Sequence, residues 1–78
     1  MSDSNYVFPK TLRELMNETN TTQPMLADAI GVTRQTISLY CTGRSKPDVD
    51  TFKKIADYFK VSYDYFLEVD DNMKIYNR

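Results

Sequence analysis

The sequence predicts a small all-α domain of five short helices, and three observations lead there. Apolar residues recur at helical spacing in successive segments, as in Leu12-Leu15-Met16 and Phe52-Ile55-Ala56-Phe59. Residues that start helices (Thr, Ser, Asp) precede these segments, and glycine or a polar break follows them. No alternating strand pattern occurs before "MKIY" at residues 73–76. Short helices joined by tight turns have to bury their apolar stripes against one another.

The elements follow in order. Residues 1–8 lack periodicity and read as a flexible arm. From Pro9, Leu12, Leu15 and Met16 form the stripe of a first helix, which "TNTT" breaks. Thr22 suits the N-cap of a second helix, because its hydroxyl can accept a backbone N–H of the first turn. Pro24 falls in that turn, where its missing N–H does no harm. Leu26, Ala27 and Ile30 make its inner face, and Gly31 suits the left-handed residue that closes it. Thr33 caps a third helix that runs to about Thr42 before Gly43 ends it. Asp48 or Asp50 caps a fourth, which buries Phe52, Ile55, Ala56 and Phe59. Ser62 caps a short fifth, and Phe66 with Leu67 closes the core. The folded domain therefore spans residues 9–67. Residues 68–78 form a tail or linker, open to reading as a dimerising strand, a fraying end or a link to a further domain.

Composition bounds the function classes. The chain has 78 residues, 41% of them hydrophobic, which is enough for one core and too many for a disordered chain. A single cysteine forms no internal disulfide, and no apolar run approaches the ~20 residues of a membrane span. The expected compartment is the cytoplasm, so the two Asn-x-Thr sequons at Asn17 and Asn20 are read as chance matches. No histidine is present, nor any acid–base or metal-ligand cluster; neither a cofactor nor a metal is expected, and the chain is not read as an enzyme.

Net charge is -1, which argues weakly against a nucleic-acid partner, but its distribution reverses that. Residues 10–60 hold eight basic side chains against six acidic ones, and residues 31–47 hold Arg34, Arg44 and Lys46 with no acidic residue at all. The field at a binding face follows the local count.

The third helix explains that window. At roughly 100° per residue, Ser38, Thr42, Gln35 and Leu39 follow Arg34 at about 40, 80, 100 and 140°. Thr33, Ile37 and Tyr40 fall on the opposite, inward side, with Cys41 at its margin. The outward arc thus offers a guanidinium, an amide, two hydroxyls and an exposed leucine. Those are the groups that read base edges: Arg to guanine, Gln to adenine and an apolar group to the thymine methyl. A window facing phosphates and base edges has reason to exclude acid. The bland alternative is a solvated helix face.

Read from Thr22, residues 22–67 resemble the lambda-repressor/Cro (XRE-type) class of helix-turn-helix regulators. The resemblance rests on Thr22-Gln23, Leu26-Ala27, Gly31-Val32-Thr33, Ile37-Ser38, Gly43, Pro47, Ile55-Ala56, Val61-Ser62 and Phe66-Leu67. It implies a five-helix domain whose helices 2 and 3 form the helix-turn-helix, with recognition helix 33–42 in the major groove. It implies base reading by Arg34, Gln35, Ser38 and Leu39. Backbone contacts are implied for Gln23, Thr33, Thr36, Thr42, Arg44 and Lys46. It further implies a transcriptional regulator, above all a phage or bacterial repressor, bound as a homodimer to a pseudo-palindromic double-stranded DNA operator, with dimerisation on the DNA alone compatible with so small a domain.

Two positions depart from the family. Many members place an arginine late in helix 1 and a glutamate near the end of helix 3 as a buried ion pair; here those positions hold Met16 and Cys41. Both charges are gone together, and swapping such a pair for apolar groups can be neutral or stabilising. Of the six tyrosines, Tyr58, Tyr63 and Tyr65 lie around helices 4 and 5, away from the reading face, and form a candidate dimer surface. Lys53-Lys54 is read as a solvated face. The rival reading from another class is an antitoxin that also binds a protein toxin; a protein partner of that kind, or an antirepressor, is compatible with the same sequence.

Overall fold

A computed structural model describes residues 7–66 of the chain. The expectations for residues 1–6, for Leu67 in the core and for the tail with its "MKIY" strand lie outside the described residues.

Among the described residues four α-helices follow one another: α1 (Phe8–Glu18), α2 (Gln23–Ile30), α3 (Arg34–Thr42) and α4 (Val49–Phe59). The expected fifth α-helix is instead a 3-10 helix, Tyr63–Phe66. The Tyr65 N–H donates to the Ser62 carbonyl at 3.0 Å, the i to i+3 bond of that tighter turn. Four residues are too few to close the longer α-helical ring repeatedly.

The first helix begins one residue earlier than the periodicity placed it. Phe8, which the sequence assigned to the arm, is 3% exposed and belongs to the core. Pro9 in the first turn does not oppose this start, since its fixed φ already suits a helix. The Phe8 ring stands 5.0 Å from Phe66 and 5.8 Å from Phe52, centroid to centroid, and burying such a side chain stabilises by roughly 1.5–3 kcal/mol.

The caps of α2, α3 and α4 fall where the sequence put them. Thr22 Oγ1 accepts the Met25 N–H at 3.3 Å, and the Thr22 N–H donates back to the Met25 sulfur at 3.5 Å. This is a capping box with a thioether in the place usually held by Glu or Gln. Gly31 (φ 79°) and Gly43 (φ 80°) end α2 and α3 in the left-handed region. Of the two candidate caps for α4, Asp48 takes the role, with Oδ1 accepting the Thr51 N–H at 2.9 Å. That bond, with the Thr51 side chain as the leading cause, holds the Asp48 carboxyl below its ordinary range. Helix α4 ends without a glycine: Lys60 itself adopts φ 60°.

Leu12, Leu26, Ile37, Ile55 and Phe66 are fully buried and come from all five elements. Helix α2 packs on α3 and α4, while α1 packs on α3 and the 3-10 helix. Phe52 and Phe59, expected in the core, are half-buried and lean against it, whereas Lys53 and Lys54 are exposed as predicted. Helix α3 is thus held from two sides along one face, and its other face is left open.

Candidate nucleic-acid interface

Helix α3 buries Ile37, Tyr40 and Cys41. The remaining arc is the candidate reading face. Arg34 and Gln35, in the first turn, are exposed; Thr36, Ser38 and Leu39 are half-buried; Thr42 is exposed. Leu39 was expected as an exposed leucine. At about 140° from Arg34 it stands at the edge of the arc, where the fold covers part of it.

Thr33 corrects the helical wheel more sharply. The wheel puts it on the inward side, yet it is exposed. As N-cap it is extended (φ -83°, ψ 158°), so the rotation of a helix does not apply to it. Its Oγ1 accepts the Thr36 N–H at 3.1 Å and lies 2.8 Å from Thr36 Oγ1. Two hydroxyls sharing one hydrogen bond retain one proton, so the pair keeps an O–H donor at the mouth of the helix. The Thr42 hydroxyl differs: it donates to its own helix, with the Ser38 and Leu39 carbonyls each at 3.2 Å. Its proton is therefore engaged.

Gln23 is the first residue of α2 and half-buried, with Thr22 capping beside it. Arg44 and Lys46 are exposed in the turn after α3. The acid-free window thus spans three surfaces in one run of chain: the turn before α3, its outer face and the turn after it. Backbone N–H groups at the starts of α2 and α3 add partial positive charge there.

The predicted departure at Met16 and Cys41 is a contact. The Cys41 thiol lies 3.7 Å from the Met16 sulfur, and both residues are buried, which fits the register assigned to α1. Burial raises the Cys41 thiol above its ordinary range, against a smaller opposing effect of Arg13, so it stays neutral. A neutral buried thiol is no nucleophile.

Arg13 was missed by the sequence reading. Its guanidinium donates to the Cys41 carbonyl at the end of α3, between residues 28 apart in the chain. One signal was present: α3 carries no basic residue in its own last turn. Of the proposed tyrosine surface, Tyr58 and Tyr65 pack edge-on against Phe59 and Phe66, with centroids 4.9 and 6.0 Å apart. Tyr63 also packs on Phe52, with centroids 5.9 Å apart, yet it stays the most exposed of the three at 43%.

Two helices joined by the three-residue turn Gly31–Thr33, with the second open outward, form the arrangement that a helix-turn-helix family model matches over residues 12–66. The chain belongs to the helix-turn-helix family. This is a family of DNA-binding regulators and not of enzymes. The chain is 31% identical over 70 residues to the uncharacterized HTH-type transcriptional regulator YqaE of Bacillus subtilis (strain 168), covering 90% of this chain and 60% of that protein. It is also 31% identical over 62 residues to the SPbeta prophage-derived uncharacterized HTH-type transcriptional regulator YonR of the same strain, covering 80% of this chain and 57% of that one. The helix-turn-helix chain thus spans about three-fifths of the length of these curated relatives. No solved structure matches it. Among the described residues no helix is long and apolar enough to cross a membrane, and no cluster of His, Cys, Asp and Glu could hold a metal ion.

Proposed function

We propose that this helix-turn-helix protein is a transcriptional repressor that binds double-stranded DNA sequence-specifically, with α3 in the major groove. One observation carries the reading: Arg34 and Gln35 stand exposed in the first turn of α3, inside a run from Gly31 to Pro47 without a carboxylate. The first turn of such a helix reaches base edges, and these two side chains can bond guanine and adenine in bidentate fashion. Ser38 and Leu39 follow along the arc. Gln23, the Thr33–Thr36 hydroxyl pair, Arg44 and Lys46 hold phosphates on either side and set the register. Thr42 joins them through its exposed place at the end of α3, its hydroxyl proton being already committed. One helix reads too few base pairs for genomic selectivity, so the protein binds as a homodimer on a twofold operator with half-sites ~34 Å apart. Tyr63 supplies the exposed apolar side chain of that dimer face.

Selection of bound duplexes from a random-sequence pool tests this reading, because it returns the half-site and its spacing together. Gln35→Ala should then cost about 1–3 kcal/mol on the selected operator and relax selectivity at one base pair. Arg44→Ala should weaken binding to all duplexes alike and lower the salt slope by about 1. Equal weakening of operator and random duplex by Gln35→Ala would remove base reading from α3.

A further inference from the structure

The last carbonyls of a helix lack partners within it, and three of those of α3 find them in the following turn or on α1. The Leu39 carbonyl accepts the Arg44 and Ser45 N–H groups at 3.0 and 3.3 Å, and the Tyr40 carbonyl accepts the Gly43 N–H at 3.3 Å. The Cys41 carbonyl accepts the guanidinium of Arg13, which comes from α1. Helix α3 has no basic residue in its last turn, so the charge that suits its negative end is supplied from a neighbouring helix.

Arg13 is one member of a seam. Pro9, Arg13 and Met16 follow one another along α1 at i, i+4 and i+7, one stripe of a helix. Pro9 Cγ lies 3.3 Å from where a Cβ on Gly43 would stand, and the Met16 sulfur lies 3.7 Å from the Cys41 thiol. All three side chains therefore grip the same end of α3. Pro9 and Met16 do so as buried core groups, while Arg13 is exposed and does so by a charged hydrogen bond.

We propose that Arg13 is a positioning residue for DNA binding: through the Cys41 carbonyl it locks the C-terminal end of α3 and the turn bearing Arg44. The reasoning is mechanical. The Arg44 N–H is tied back to Leu39, so the turn moves with the last turn of the helix. A helix end fixed only by apolar contact can slide or fray; a guanidinium bonded to its carbonyl resists both. Arg13 acts on the DNA through the protein and touches no phosphate. The proposal rests on the DNA-binding reading given above.

Arg13→Met keeps the aliphatic stem and removes the donor, and Arg13→Lys keeps one donor and the charge. Two measurements on the full chain separate the possibilities. In the free protein, amide hydrogen exchange at Gly43, Arg44 and Ser45 should quicken about 5-fold or more in Arg13→Met, while amides of the α2–α4 core stay slow. Arg13→Lys should restore much of the protection. On a duplex selected from a random pool, Arg13→Met should bind roughly 5- to 10-fold more weakly with an unchanged salt slope, and Arg13→Lys should recover most of that loss. A slope reduced by about 1 would make Arg13 a phosphate contact and overturn the proposal. So would unchanged exchange or unchanged affinity. If the wild-type chain selects no duplex at all, the DNA-binding reading fails, and the proposal falls with it. Altered exchange in the free protein would then establish only a structural cap.

Discussion

Placing the family's missing ion pair into this core, one charge at a time, tests how α1 and α3 meet. Met16 and Cys41 are 7% and 5% exposed, and their sulfurs are 3.7 Å apart, so any charge introduced there is buried. Met16→Arg buries a guanidinium with no carboxylate supplied for it. Breaking a buried pair so that one charge remains costs ~3–5 kcal/mol, and the Arg13 guanidinium nearby adds like-charge repulsion. Cys41→Glu is different, because Arg13 already acts on position 41 in the direction that favours an anion. Its cost should come mostly from fitting a larger side chain into a packed site, about 1–3 kcal/mol. The two single variants should therefore be unequal, with Met16→Arg the worse. The double variant should recover a coupling of about 0.5–3 kcal/mol, short of full rescue because the neighbouring core is shaped for Met and Cys. In a domain of this size 1 kcal/mol corresponds to about 4–8 °C in Tm, so Met16→Arg should lower it by more than ~12 °C. Urea titrations of the four proteins followed by circular dichroism, in trimethylamine N-oxide where the single variant is too weak to fold alone, give the cycle. Strictly additive losses would refute the reasoning, and so would a Cys41→Glu variant as damaged as Met16→Arg.

Four further substitutions test the local geometry. Lys60 sits at φ 60°, a conformation disfavoured for a side chain by roughly 1 kcal/mol, so Lys60→Gly should raise the thermal midpoint despite glycine's entropy in the unfolded chain. Gly31→Ala and Gly43→Ala should both lower stability, by about 1 kcal/mol from the left-handed backbone alone. Gly43→Ala should lose more, because its Cβ would meet Pro9 Cγ at 3.3 Å whereas nothing lies within 4 Å at Gly31; equal losses in chemical denaturation would contradict the seam. The Asp48 carboxyl is held below its ordinary range by the Thr51 hydrogen bonds, so its contribution is present above the unfolded carboxyl's pKa and fades as pH falls through the lower folded value. Asp48→Asn keeps a capping oxygen without titrating there, so the stability gap between it and the wild type should narrow below pH ~4. A gap independent of pH would show that the charge contributes nothing.

Much of the candidate interface was legible because it is written in local chemistry. A threonine three residues before an N–H it can reach identifies Thr22 and Thr33 as caps, and a glycine after an apolar stripe identifies Gly31 and Gly43 as stops. Those four residues fix the ends of α2 and α3 and therefore the phase of the face bearing Arg34 and Gln35. The absence of carboxylates from 31–47 is a property of composition and needs no structure to be seen. The Met16–Cys41 contact was readable too, since loss of both charges of a buried pair leaves a trace at two positions.

Other features were decided only when the chain closed on itself. Phe8 looked like part of an arm because no periodicity precedes it, and the rings of Phe52 and Phe66, far along the chain, are what bury it. Thr33 is outward because a cap leaves the helical rotation, and Leu39 is half-covered by neighbours that a helical wheel does not contain. The lack of a basic residue in the last turn of α3 hints that a cation comes from elsewhere, but nothing in the sequence singles out Arg13 among the helix cations; its partner is a backbone carbonyl 28 residues away. Periodicity and capping report on groups within about one turn, and so specify helices and the faces they own. Which carbonyl meets which guanidinium depends on how those helices cross, and tertiary packing alone sets that.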